Sequence, residues 1–146
     1  ILEALVRAGF GITATHPIKA EMSVAQPKHQ AKEPIDLDVI LVCRKRTVRR
    51  RELPRLVEII PDSIIEAEEQ VARLNRVGRR LSRNDVRVIL MAQIIKRLSW
   101  HSSLADSLHY LDSHRATMEG AIEEVYDRQK VVERAISTAK TQFELW

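Results

Sequence analysis

One cysteine is all the chain carries in 146 residues. Cys43 alone excludes an internal disulfide and a thiolate zinc cluster, and it fits a reducing compartment such as the cytoplasm. Aromatic residues are scarce at 4%, with four glycines and five prolines, so the core must be packed by Leu, Ile and Val along long helices. The longest nearly apolar run, Val86 to Ile95, is too short to span a bilayer. No basic, apolar, small-residue order opens the chain as a secretory signal would. His101, His109 and His114 lack i,i+4 spacing and have no neighbouring cysteine, so metal ligation is disfavoured. The expectation is a cytoplasmic chain with no membrane segment.

Charge is unevenly spread. Residues 1–51 hold ten Lys/Arg against five Asp/Glu, whereas 52–146 hold fourteen against fifteen. The net charge of +4 is therefore an N-terminal property, and most of it lies in one run: Arg44, Lys45, Arg46, Arg49, Arg50 and Arg51. Such a run suits a nucleic-acid phosphate backbone; the plainer alternative is a solvated connector. Arg73, Arg76, Arg80, Arg83 and Arg87 make a second stripe, but Glu66, Glu68 and Glu69 lie nearby, which favours surface ion pairs.

The opening residues read as a helix already in progress. Ile1, Leu2, Leu5 and Val6 form an apolar stripe, and Gly9 stands where a helix stops. With Ile at position 1 and the first Met at Met22, the expectation is a chain cut from something longer. Gly11 to Ile18 alternates Ile12, Ala14, His16 and Ile18 against Thr13, Thr15 and Pro17, which predicts a strand. Pro17 cannot donate to a ladder, so that strand belongs at an edge. Residues 23–36 read as a loop. Leu37 to Cys43 is apolar at both parities after Asp38, which predicts a strand covered on both faces. A two-stranded sheet is not stable alone, so this strand calls for further neighbours.

From Arg51 onward the pattern is helical. Pro54 opens a short helix carrying Leu53, Leu56, Val57 and Ile60; Pro61 ends it, and Ser63 with Glu66 reads as a capping box for the next. Ile64, Ala67, Val71 and Leu74 stripe that helix, and Gly78 closes it. Ser82 with Asp85 is a second capping box. The helix it opens, through Leu98, is apolar on nearly every side and belongs at the centre of the core. Leu104, Leu108 and Leu111 mark a short amphipathic helix. In the last one, Met118, Ile122, Val125, Gln129, Val132, Ile136, Ala139 and Phe143 alternate spacings of four and three, a heptad seam with one polar interruption. It serves either antiparallel packing within one bundle or a dimer.

The first third of the chain resembles a known family. EALVRAGFGITATHPIKAEM followed by DVILVCRKR is similar to the end of the methylase domain in amino-directed DNA methyltransferases of class I, and in particular to a large-protein subfamily of adenine-specific DNA methylases. That family ends its doubly wound sheet with a helix, an edge strand, and a final strand inserted antiparallel inside it. Beyond residue 46 the resemblance rests on helix order and on the RNDVRVIL stretch. It implies a parent that uses S-adenosylmethionine and acts on DNA. The family binds that cofactor through a Gly-rich loop and holds the target amino group with an (Asp/Asn/Ser)-Pro-Pro-aromatic motif. Here the glycines are Gly9, Gly11, Gly78 and Gly120, and no two prolines are adjacent. Neither motif is present, so no catalytic, cofactor-binding or metal residue carries over to this chain.

His16 and Glu21 fall at positions similar to the family's, although a lone His at a strand end is more often structural. Cys43 in a strand reads as a small hydrophobe rather than a nucleophile. Ser102, Ser103 and Asp106 are explained by capping, which makes a hydrolase improbable. The expected fold is α+β and mostly α. A helix–strand–strand tail of a methyltransferase sheet occupies 1–46, a basic linker and short helix 47–61, and a helical bundle 62–146. The expected function is the C-terminal portion of a DNA modification methylase, inactive alone, whose missing N-terminal segment would carry the chemistry. DNA and a second copy of the chain are the expected partners. Two alternatives stand beside it: a non-catalytic nucleic-acid-binding module and a helical oligomerisation domain.

Overall fold

The computed structural model describes residues 1–20, 35–46 and 54–144, the last five as helix backbone. The basic residues Arg49, Arg50 and Arg51, together with Glu21, lie outside the described residues. The architecture is mostly helical with a two-stranded antiparallel sheet. In order it runs α1 (Leu2–Arg7), β1 (Phe10–Lys19), β2 (Leu37–Lys45), a 3-10 turn (Leu56–Glu58), α2 (Ile59–Arg76), α3 (Arg83–Leu98), α4 (Leu104–Ser113) and α5 (Arg115–Glu144). No helix among the described residues is long and apolar enough to cross a membrane.

Gly9 ends α1 with φ +79° and Gly78 ends α2 with φ +82°, a left-handed conformation that costs glycine nothing and most residues about 1 kcal/mol or more. The strand that follows Gly9 differs from the simple alternation. β1 and β2 pair Ile12 with Cys43 and Ala14 with Val42, which leaves Thr13 as an extra residue. This β-bulge inverts the parity of everything after it. Ile12 and Thr15 are buried, whereas His16 is exposed and Ile18 is 41% exposed. Sequence periodicity had placed Ala14 and His16 on the face of Ile12; the bulge puts Thr15 and Pro17 there instead.

β2 turns one face to the helices and leaves the other open. Leu37 is buried in the shared core, but Ile40 remains 50% exposed. The expected cover on both faces is thus absent among the described residues. The helices alone supply the packing that a two-stranded sheet needs: α3 lies against both strands, and Leu2 and Leu37 join Ile59, Val71, Ile89, Leu90, Ile94 and Ile122 in one apolar cluster.

Pro61 does not break a helix. It is the third residue of α2, within the first turn, where backbone N–H groups have no intrahelical acceptor and a proline removes no hydrogen bond. Ser63 is therefore not a cap; it is buried inside α2, and its hydroxyl has no partner among the described residues. The second capping box forms as expected: Ser82 Oγ accepts from the Asp85 N–H at 3.1 Å, and Asp85 accepts from the Ser82 N–H at 2.9 Å. In α4 the fully buried residues are Ser107 and Tyr110 rather than the three leucines. The Ser107 hydroxyl donates to the Leu98 carbonyl at 3.3 Å, which turns that face of α4 onto the end of α3.

The heptad seam of α5 divides in two. Met118, Ile122, Val125 and Gln129 are buried in the bundle, whereas Val132 is 52% and Ile136 48% exposed. The change comes where Gln129 Nε2 donates to the Leu81 carbonyl at 3.3 Å, at the end of the molecule where α2 turns into α3.

Candidate nucleic-acid interface and sheet edge

The basic run starts on the last two residues of β2. Arg44 and Lys45 are exposed at the strand end and are available to an anion. Arg46 is committed elsewhere. Its guanidinium donates to the carbonyls of His101 at 2.7 Å and Trp100 at 3.4 Å, and its N–H donates to the Gly9 carbonyl at 2.8 Å. Arg46 thus satisfies carbonyls just past the C-terminus of α3, the end that favours a cation. Of the six cations read as a phosphate-binding run, two are placed as exposed, one serves the fold, and three lie outside the described residues.

The second basic stripe also divides. Arg83 and Arg87 reach Glu119 of α5 at 3.2 and 2.7 Å, and Arg83 also pairs with Glu123. Arg73 is 3.8 Å from Glu69 on its own helix. Three of the stripe's five arginines, Arg73, Arg83 and Arg87, are thus ion-paired, the last two with α5 rather than with α2. Glu66 instead joins Lys96 and Arg97 of α3. Burial works to raise the Glu66 carboxyl, but the hydrogen bonds and charges of Lys96 and Arg97 outweigh it and hold the group below the usual carboxylate range. Arg76, Arg79 and Arg80 make no ion pair among the described residues.

The two edges of the sheet are unequal, and side chains of α2 and α3 make them so. Along β1, Ile12 donates its N–H to Ser99 Oγ at 2.8 Å, and its carbonyl accepts from Trp100 Nε1 at 2.7 Å. The Thr15 carbonyl accepts from Gln70 Nε2 at 2.9 Å, while Thr15 Oγ1 accepts from buried Gln93 at 2.7 Å. Backbone groups of a strand point alternately to either side, so Pro17, two residues on, directs its missing donor outward as well. The outer edge of β1 is closed to another strand. Along β2, the residues opposite Ile12, Thr15 and Pro17 are Cys43, Leu41 and Val39. These also turn their N–H and C=O groups away from the hairpin, and among the described residues no strand lies beside them.

Asp85 fixes how this hairpin meets the helices. Beyond capping α3, its carboxylate accepts from the N–H groups of Asp36 at 2.9 Å and Leu37 at 3.1 Å, and the residue is 1% exposed. One carboxylate thus ties the start of β2 to the start of α3. At the other end, Gly11 leaves room for Trp100: a Cβ there would lie 2.6 Å from the indole ring. Sequence reasoning identified Asp85 only as a cap and missed Gln70, Gln93, Ser99 and Trp100. A polar residue on an apolar helix, Gln93 above all, was the available signal. His16 stands on the open face opposite Ile40, and half-buried Cys43 lies beside Ile12 with only a weak contact to the Leu41 carbonyl at 3.9 Å. No family model, curated protein or solved structure matches this chain.

Proposed function

We propose that this chain is the C-terminal portion of an amino-directed, adenine-specific DNA methyltransferase. In that reading α1, β1 and β2 complete the catalytic sheet, and the basic run after β2 approaches the DNA backbone. The chemistry and the S-adenosylmethionine site belong to the missing segment, and the chain alone transfers no methyl group. The observation that carries the reading is the inequality of the two edges. A penultimate edge strand needs its outer side closed, and a final inserted strand needs a second side free to pair. β1 is closed by Ser99, Trp100 and Gln70, whereas among the described residues no strand lies on the outer edge of β2, whose far face carries half-exposed Ile40. The resemblance of AGF…HP…E…CRKR to the family's ending supports the same assignment.

Two measurements test it. The coding sequence upstream of Ile1 is expected to encode a Gly-rich loop and a Pro-Pro-aromatic motif; a frame that lacks both removes the proposal. Hydrogen exchange then reads the edge directly. In the isolated chain the amides of Val39, Leu41 and Cys43 exchange faster than those of Ile40 and Val42, unless a second copy pairs with the edge. In the full-length protein all five are protected. Continued fast exchange of Val39, Leu41 and Cys43 there would mean that β2 is not an interior strand. For the DNA contact, replacing Arg49, Arg50 and Arg51 with Ala lowers the salt dependence of duplex binding by about 0.9 per lost phosphate contact. An unchanged slope would make the run a connector.

A further inference from the structure

The outer edge of β2 is complementary to itself. Val39, Leu41 and Cys43 turn their N–H and C=O groups outward, and no strand lies beside them among the described residues. The free stretch starts past Leu37, whose N–H already donates to Asp85 at 3.1 Å. The opposite parity of the strand presents Asp38, Ile40, Val42 and Arg44 in turn on the open face. Ile40 is 50% exposed there. Asp38 and Arg44 are exposed and make no ion pair among the described residues. The acid and the base stand equally far in sequence on either side of Leu41, with apolar residues between them.

We propose that a second copy of this chain pairs antiparallel with β2 across this edge, centred on Leu41. A two-fold axis normal to the sheet then sets Leu41 against Leu41, Val39 against Cys43, Ile40 against Val42, and Asp38 against Arg44. The outward groups of Val39, Leu41 and Cys43 face those of Cys43, Leu41 and Val39, so each donor meets an acceptor. On the open face Ile40 and Val42 cover one another at the closer, non-hydrogen-bonded spacing. At both ends an Asp38 meets an Arg44, the opposite-charge pairing that stabilises neighbouring strands. Centring the pair on Ile40 would set Asp38 against Val42, and centring it on Val42 would set Arg44 against Ile40. The assembly also closes. The outer edge of β1 is occupied by Ser99, Trp100 and Gln70, so joining the two-stranded sheets of two copies gives four strands with no open edge, a dimer rather than a fibre. The pairing does not depend on the parent proposed above, in which a strand of the missing segment would take the same edge and exclude the second copy.

Sedimentation equilibrium of the whole chain at micromolar concentration is expected to show a monomer–dimer equilibrium. Asp38→Lys and Arg44→Glu each bring like charges together at both ends and should weaken the dimer about tenfold or more. An equimolar mixture of the two variants restores opposite charges and should form a heterodimer about as tight as the wild-type dimer, which also shows that both variants fold. Hydrogen exchange should show Val39, Leu41 and Cys43 gaining protection as concentration rises. Ile40 and Val42, bonded within the hairpin, should not change. A wild-type chain that stays monomeric to millimolar concentration would overturn the proposal. So would a dimer indifferent to both charge reversals, which would move the contact to the exposed half of the α5 seam. Weakening in both variants without recovery in the mixture would exclude this register and overturn it too. None of these outcomes bears on the coding sequence upstream of Ile1, which tests the parent separately.

Discussion

Replacing Asp85 with Ala should remove the tie between β2 and α3 and with it a large share of the stability of this chain. The carboxylate accepts three backbone N–H groups, from Ser82 at 2.9 Å, Asp36 at 2.9 Å and Leu37 at 3.1 Å, from a position 1% exposed. Hydrogen bonds to a charged acceptor contribute about 1.5–3 kcal/mol each. Water can reach the partly exposed Ser82 and Asp36 groups after truncation, whereas the Leu37 N–H is in the core and stays unsatisfied. Allowing for that, the loss is about 3–5 kcal/mol, a large part of the roughly 5–15 kcal/mol that holds a domain folded. Asp85→Asn keeps an acceptor oxygen without the charge, and neutral hydrogen bonds are about half as strong, so it should fall midway. Ser82→Ala removes the acceptor that caps α3, which costs about 1 kcal/mol. Urea denaturation of the three variants gives the ranking, and hydrogen exchange at Leu37 locates it. A clamp between strand and helix predicts that Leu37 loses protection in Asp85→Ala but keeps most of it in Ser82→Ala. If Asp85→Ala costs no more than Ser82→Ala, Asp85 is a cap and nothing else, and the account of how the hairpin docks is wrong.

Further expectations follow from the same contacts. Gly11→Ala would set a Cβ 2.6 Å from the Trp100 ring, which its hydrogen bond to the Ile12 carbonyl holds in place; overpacking of this kind costs about 1–3 kcal/mol, and an unchanged thermal midpoint would refute the close approach. Glu66 is held below its ordinary pKa by Lys96 and Arg97, so its contribution is fully present above the unfolded-state value and is lost as pH falls through the folded-state value. Glu66→Gln should therefore flatten the acid limb of the stability–pH curve. The effect should stay under about 1 kcal/mol because the carboxylate is partly solvated; an acid limb identical to wild type would show that the cluster contributes nothing.

Local signals placed most of the elements. Gly9 and Gly78 stop helices because the backbone there turns left-handed, and Ser82 with Asp85 opens α3 because the two side chains satisfy donors the helix leaves free. Both strands, the central place of α3 and the seam of α5 follow from apolar spacing, which is a property of the residues themselves. Where neighbours in space compete with spacing, the sequence alone was insufficient. Pro61 looked like a helix breaker, yet three residues decide whether a proline removes a hydrogen bond, and only the start of α2 at Ile59 sets that count. The bulge at Thr13 inverted the faces of β1, because Ser99 and Trp100 bind Ile12 while Gln70 and Gln93 bind Thr15, residues 55 to 88 positions away. A single extra residue accommodates both sets of partners, and no periodicity within β1 encodes it. The seam of α5 likewise keeps its spacing in sequence from Met118 to Phe143, but in the structure its burial ends at Gln129. Burial depends on where α2 and α3 end, and it is the length of those other helices that separates the half of α5 that holds the core together from the half that faces outward.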